Sequence, residues 1–123
     1  RKWKGGYIMA ANHVEGLKCL QNSYVTLGKN CPDVMKAFMG LHSEATKDGA
    51  LSFKTKELIA LGIAIVVKCT GCIDSHVKTA LDAGATREEI NETVEVAILM
   101  GGGPGTVYGA MAIEAMDQYL AEK

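Results

Sequence analysis

One stretch of the chain predicts both a buried helix and a reactive motif: residues 52–76 read SFKTKELIALGIAIVVKCTGCIDSH. Ser52 belongs to the residue types that cap helix N-termini, so a helix is predicted from Phe53 to about Lys68. The apolar run from Leu58 to Val67 is too short to span a bilayer, which takes about 20 residues. Its β-branched residues leave a strand as the alternative, but length and continuity with Glu57 favour a buried helix.

The remaining sequence is also typical of helices joined by short turns. Pro32 suits the first turn of a helix, Gly84 suits the position after a helix end, and Thr86 with Glu89 forms a capping box. Five further helices are predicted over residues 12–27, 32–46, 69–83, 87–100 and 105–120, with Gly28 and Asn30 ending the first. The predicted fold class is all-α, an antiparallel helical bundle in a single domain over residues 1–123, with a basic lead-in tail at residues 1–8.

A glycine-rich segment, GGGPG at residues 101–105, precedes the last predicted helix. It is interpreted as a flexible break or a tight turn that lets the last helix pack closely, helped by small residues such as Gly109 and Ala112. A phosphate cradle is disfavoured, because neither G-x-G-x-x-G after a strand nor a following GK[ST] is present. The sequence leaves open whether Tyr108 lies near a site or an interface.

Composition excludes some classes of function. The formal net charge of −1 argues against a nucleic-acid binder that relies on a broad basic field, and neither a secretory signal nor a membrane segment is recognised. Hydrophobic residues make up 48% of the chain and six residues are methionine. A small domain of this composition is predicted to cover part of its apolar surface by forming a homo-oligomer.

The four cysteines favour a cytoplasmic protein with one reactive pair over a disulfide-stapled secreted domain. Cys19 and Cys31 stand alone and are predicted to be structural. Cys69 and Cys72 form a Cys-x-x-Cys motif, and His76 lies four residues after Cys72, on the same helix face. His76 can therefore reach Cys72 but hardly Cys69, which is roughly 10 Å away along the helix axis.

These residue types suit thiol chemistry. A helix N-terminus and a neighbouring imidazole both favour the thiolate that attacks a substrate, and a second cysteine can close a disulfide with the first. Glu57 lies on the preceding helix, which must fold back near the pair because the connection is short. Its carboxylate can orient His76 or accept a thiol proton.

Metal binding is the first alternative, because Cys69, Cys72, His76 and Glu57 could supply four zinc ligands. Structural zinc usually takes two separated ligand pairs, whereas His13 and His42 are isolated in the sequence. A thioredoxin fold is rejected because no strands flank the motif, and covalent haem attachment would need a histidine directly after Cys72.

Eleven residues separate Glu57 from Cys69, and three separate Cys72 from His76. This spacing, together with the surrounding KTKELIAL and CTGCIDSH, resembles the carboxymuconolactone decarboxylase family, and within it the AhpD-like alkylhydroperoxidase group. The likeness extends over roughly residues 32–121. It departs from AhpD itself in length and at Gly71, where AhpD carries a histidine that forms part of its proton relay.

The resemblance implies an all-α fold that assembles as a homotrimer or homohexamer. It implies a hydroperoxide substrate, Cys72 as the attacking thiolate, Cys69 as the resolving partner, and Glu57 with His76 as the proton relay. It also implies that no metal or bound cofactor is needed, because a lipoyl or thioredoxin-like dithiol protein reduces the disulfide. Two alternatives stay open: a lactone decarboxylase, whose family members generally lack this cysteine pair, and a non-catalytic redox or zinc-binding module.

Overall fold

The computed structural model describes residues 12–123, so the predicted tail at residues 1–8 lies outside the described part. The prediction of an all-α fold is confirmed, since every regular element in the described range is a helix. The helices are α1 His13–Asn30, α2 Pro32–Thr46, α3 Phe53–Val66, α4 Thr70–Asp82 and α5 Arg87–Ala121.

The core lies between α3, α4 and α5, which pack against one another. Its largest fully buried apolar side chains are Leu61, Ile65, Ile73, Ile90 and Met116. Helix α1 packs on α4 and α5 and adds Leu17 to this cluster. Helix α2 contacts only α1 and α3 among the described helices and contributes no buried residue.

The helix-end signals are largely confirmed. Ser52 Oγ accepts a hydrogen bond from the amide of Thr55 at 3.1 Å, and Thr86 and Glu89 form both bonds of the capping box. Gly84 adopts a φ of +96°, the left-handed conformation that favours glycine. Helices α3 and α4 each end within two residues of the predicted position, and α4 begins at Thr70 with Cys69 as its N-cap.

The sequence predicts that the first helix ends near Leu27, with Gly28 and Asn30 as its end signals; the Gly28 signal is wrong, and the helix ends at Asn30. Helix α1 continues through Gly28 to Asn30, where the amide of Cys31 bonds the carbonyl of Leu27 at 2.8 Å and closes the last turn. Gly28 does not adopt a positive φ, so it lacks the backbone conformation by which glycine ends helices.

Helix α5 contains one sharp reversal. Gly102 has φ 64° and ψ −142°, and it separates helical arms at 87–101 and 103–121. A Cβ at Gly105 would lie 3.0 Å from the carbonyl oxygen of Ala97, and a Cβ at Gly109 would lie 2.8 Å from a methyl of Val94. The two arms therefore pack against each other closely, as the small residues predicted, and the break is confined to Gly102.

Among the described helices, α5 is the one that is long and apolar enough, by length and composition, to cross a membrane. Its reversal at Gly102 divides it into arms of about 22 and 28 Å, each shorter than the roughly 30 Å hydrocarbon core of a bilayer. The arms instead form a helical hairpin that packs on α3 and α4.

The close approach of the arms gives a first prediction. Gly105→Ala is expected to lower the free energy of unfolding by about 1–3 kcal/mol, because the new methyl meets rigid backbone of the first arm. Gly103→Ala is the matched control, since a Cβ there meets no atom within 4 Å. Urea unfolding of both variants checks this, and equal stabilities would show that the arms can separate without cost.

Candidate active site

The candidate site begins at the connection between α3 and α4. Lys68 adopts a φ of 62°, unusual for a residue other than glycine, and it turns the chain back after α3. The amide of Cys69 then bonds the carbonyl of Ala64 at 3.0 Å. Cys69 caps α4, because its Sγ accepts a hydrogen bond from the amide of Cys72 at 3.3 Å. The two cysteines therefore lie in the first turn of α4, where the helix dipole favours negative charge on sulfur.

Cys69 and Cys72 form a disulfide with their Cα atoms 5.2 Å apart. Both residues are half-buried. Gly71 lies between them, and a Cβ at this position would come within 2.8 Å of a methyl group of Leu20. Helix α1 thus packs directly on the Cys-x-x-Cys turn, and a larger residue at position 71 would have to displace Leu20.

Glu57 and His76 meet beside this turn. Glu57 Oε1 lies 2.7 Å from His76 Nδ1, and Glu57 is completely buried. An ionised carboxylate only accepts hydrogen bonds, so it orients the ring with the proton on Nδ1 and leaves Nε2 to exchange a proton with another group. Glu57 Oε2 is also buried and has no hydrogen-bond partner among the described residues. The sequence-predicted contact between the two helices is therefore present.

A second histidine approaches the site. His42, on α2, stacks on His76 with ring centroids 6.4 Å apart and an angle of 6° between the ring planes. His42 is isolated in the sequence but not in the fold. The two residues are 34 positions apart in the sequence, and only the packing of α2 beside the α3–α4 turn brings them together.

His13 is likewise not isolated. It is buried, with Nδ1 2.5 Å from Asp74 Oδ1 and Nε2 2.7 Å from Glu114 Oε1. Its amide bonds Gln118 Oε1 at 2.7 Å. Burial raises the pKa of Asp74, although the hydrogen bond and charge of His13 act in the opposite direction. This cluster fastens the start of α1 to α4 and α5. The one sequence signal of this cluster is that His13 and Leu17 lie four residues apart, on the same face of α1.

Tyr119 extends this contact and gives a second prediction. Its hydroxyl donates to the carbonyl of His13 at 3.5 Å, and burial, followed by the charge of Asp74, raises the pKa of Tyr119 to about 12. An acid whose pKa is raised by folding stabilises the fold fully below its unfolded pKa of about 10, and this stabilisation is lost as the pH rises to about 12.

We therefore expect wild type to lose more unfolding free energy between pH 9 and pH 11.5 than Tyr119→Phe does. Tyr24→Phe is the control, because the side chain of Tyr24 is half-exposed. Urea unfolding across this range makes the comparison. Parallel curves for wild type and Tyr119→Phe would contradict the linkage.

The other residues singled out by sequence lie elsewhere. Cys19 and Cys31, predicted to be structural, are free and exposed, so neither thiol belongs to the core. Tyr108 is half-buried and packs against the core cluster. In the described part of the chain, no three His, Cys, Asp or Glu side chains are grouped so that they could hold a metal ion.

Two helices joined by a short turn thus carry the candidate site, with Glu57 on α3 and Cys-x-x-Cys followed by His76 on α4. The family model of the carboxymuconolactone decarboxylase family matches residues 32–115. The chain belongs to this family, which includes enzymes.

Relatives agree with this assignment. A crystal structure of a carboxymuconolactone decarboxylase family protein from Legionella pneumophila superposes with a TM-score of 0.85 at 42% identity, covering 87% of this chain and 96% of that one. An uncharacterised protein of Cupriavidus necator is 39% identical over 98 residues, which are 80% of this chain and 87% of the relative. Alkyl hydroperoxide reductase AhpD of Corynebacterium kroppenstedtii is 27% identical over 110 residues, covering 89% of this chain and 61% of AhpD.

Proposed function

We propose that this chain is a thiol-dependent peroxidase that reduces hydroperoxides through the Cys69–Cys72 pair. The contact between Glu57 Oε1 and His76 Nδ1, 2.7 Å long, carries the proposal, because it links a buried carboxylate to an imidazole one helical turn after Cys72. Such a pair can remove the thiol proton and later return a proton to the leaving group. The similarity to an alkyl hydroperoxide reductase supports the choice of substrate class.

In the oxidative half-reaction, the Cys72 thiolate attacks the terminal oxygen of a hydroperoxide. The O–O bond breaks, the leaving alkoxide takes a proton from the relay and departs as an alcohol, and Cys72 becomes a sulfenic acid. The Cys69 thiol then attacks the Cys72 sulfur, which forms the disulfide and releases water. The pair has lost two electrons and the peroxide has gained them.

In the reductive half-reaction, an external dithiol attacks the disulfide through a mixed disulfide and leaves as its own disulfide. Cys69 is suited to depart as a thiolate, because its Sγ already accepts the hydrogen bond of the Cys72 amide at 3.3 Å. We propose a lipoyl or thioredoxin-like protein as the dithiol, with no metal or bound cofactor. We also propose a cytoplasmic location and assembly as a homotrimer or homohexamer.

A single-turnover experiment tests the chemistry. The protein carries Cys19→Ser and Cys31→Ser, which remove the two exposed thiols. It is fully reduced, freed of reductant without oxygen, and mixed with one equivalent of tert-butyl hydroperoxide. We expect one peroxide consumed per chain and a Cys69–Cys72 bond in the peptide mass map. Intact peroxide with two free thiols would contradict the proposal.

The family assignment makes lactone decarboxylation the second candidate. It predicts turnover of a carboxylated lactone that survives the loss of both Cys69 and Cys72. A zinc-binding module instead predicts one zinc ion per chain in the purified reduced protein and no turnover of either substrate. Measuring lactone turnover and bound zinc on the same reduced sample separates these two outcomes from the peroxidase.

A further inference from the structure

Helix α2 presents an apolar stripe that nothing in the described part of the chain covers. Val34, Phe38 and Leu41 recur at i, i+4 and i+7, so they share one side of the helix, and their exposures are 71%, 52% and 63%. The half-buried residues Met35 and His42 lie about a quarter turn away. We call Val34, Phe38 and Leu41 the α2 stripe. A helix with this pattern on its outer side is typical of one that inserts into a groove.

A groove of about 520 Å³ runs between α3 and the first arm of α5. Its lining is predominantly apolar and includes five exposed side chains, Ile59, Ile63, Val66, Val96 and Met100. We call these five residues the α3–α5 groove. Ile63 lies near the middle of this set along α3, and its exposed fraction is 57%.

The area of these two surfaces is that of a stable interface. The α2 stripe has three residues and the α3–α5 groove has five. At about 100 Å² for each half-exposed large side chain, these eight residues expose on the order of 800 Å² of apolar surface to solvent. A protein–protein interface of standard size buries about 1,600 Å², of which somewhat more than half, roughly 900 Å², is apolar. One stripe placed in one groove therefore supplies nearly the apolar area that such an interface needs.

We propose that the α2 stripe of one copy of this chain binds in the α3–α5 groove of a second copy. Each copy carries both surfaces, so a head-to-tail ring covers every stripe and every groove, which a single foreign partner helix would not do. The inference identifies the contact surfaces of the proposed homo-oligomer and does not depend on the peroxidase chemistry.

This arrangement connects assembly to the candidate active site. Helix α2 has no buried residue of its own and, among the described helices, contacts only α1 and α3, yet it carries His42, which stacks on His76. The neighbouring copy would thus hold α2, and with it one wall of the site, in place. Hydrogen exchange in residues 32–46 is expected to increase when the contact is broken.

Complementation between two variants tests the proposal. Phe38→Glu places a charge on the stripe, and Ile63→Lys places one in the groove. Each variant alone is expected to weaken association at least about 30-fold in sedimentation equilibrium, the effect of losing an interface hot spot. An equimolar mixture should associate again, because the intact stripe of the Ile63→Lys chain can bind the intact groove of the Phe38→Glu chain. Val25→Glu, at an exposed position of α1 outside both surfaces, should sediment as wild type does.

Every other outcome overturns the proposal. A monomeric wild type, with or without a lipid retained in native mass spectrometry, would mean that no second copy fills the groove. If only Phe38→Glu dissociates, stripes pair with stripes, and if only Ile63→Lys dissociates, grooves pair with grooves. Two dissociated variants that fail to complement would mean that the surfaces do not meet. None of these outcomes is measured by peroxide consumption. Failure of the proposed interface can therefore be distinguished from failure of the proposed function.

Discussion

Cys72→Ser is expected to abolish hydroperoxide turnover, with a fall in rate of at least about 1,000-fold. A serine hydroxyl does not ionise near neutral pH, so it cannot replace the thiolate that attacks the O–O bond. The substitution removes one sulfur from a half-buried position and keeps the size of the side chain nearly unchanged. The loss should therefore appear in peroxide consumption, while the urea unfolding curve should match that of the reduced wild type, which likewise lacks the Cys69–Cys72 bond.

Cys69→Ser is the matched variant, because it removes the second sulfur of the same disulfide. It should consume one equivalent of peroxide at nearly the wild-type rate and then stop, leaving Cys72 as a sulfenic acid that dimedone labels. Catalytic turnover would be lost in both variants, but only Cys69→Ser would retain the first step. The reverse pattern would exchange the roles of the two cysteines, and unchanged turnover in Cys72→Ser would refute the thiol mechanism.

The features that sequence predicted well depend on short separations along the chain. Ser52 and Thr86 cap helices through residues three positions away, and Cys69 and Cys72 share one helical turn. Glu57 and His76 are 19 residues apart, but the short turn at Lys68 forces their helices together. In each case, local geometry limits where the side chains can go.

The missed features depend on how distant helices pack. His13 reaches Asp74 and Glu114 across 61 and 101 residues, and no spacing rule applies at that distance. His42 reaches His76 only because α2 lies beside the α3–α4 turn. The prediction that Gly28 ends α1 is wrong for a related reason, since the sequence does not show whether Gly28 takes the left-handed conformation that Gly84 takes.

Glu57→Gln is expected to lower the rate of peroxide reduction about 100-fold, a typical contribution of general acid–base catalysis. The amide oxygen of glutamine can still accept the hydrogen bond from His76 Nδ1, which is 2.7 Å long in wild type. The ring orientation is therefore retained, while the negative charge beside His76 is lost. Glu57→Ala removes the charge and the hydrogen bond together and should be slower still.

Alkylation of Cys72 by iodoacetamide separates this electrostatic role from a structural one. In Glu57→Gln, the rate of alkylation at pH 7 should fall about tenfold, because the carboxylate that helps His76 to take the thiol proton is lost. Glu95→Gln removes an exposed carboxylate on α5 and should leave the rates of peroxide reduction and of alkylation unchanged. Alkylation of Glu57→Gln at the wild-type rate, together with wild-type peroxide reduction, would mean that Glu57 only fills space beside His76. Its buried oxygen Oε2, which has no hydrogen-bond partner among the described residues, would then lower the stability of the fold without contributing to the reaction.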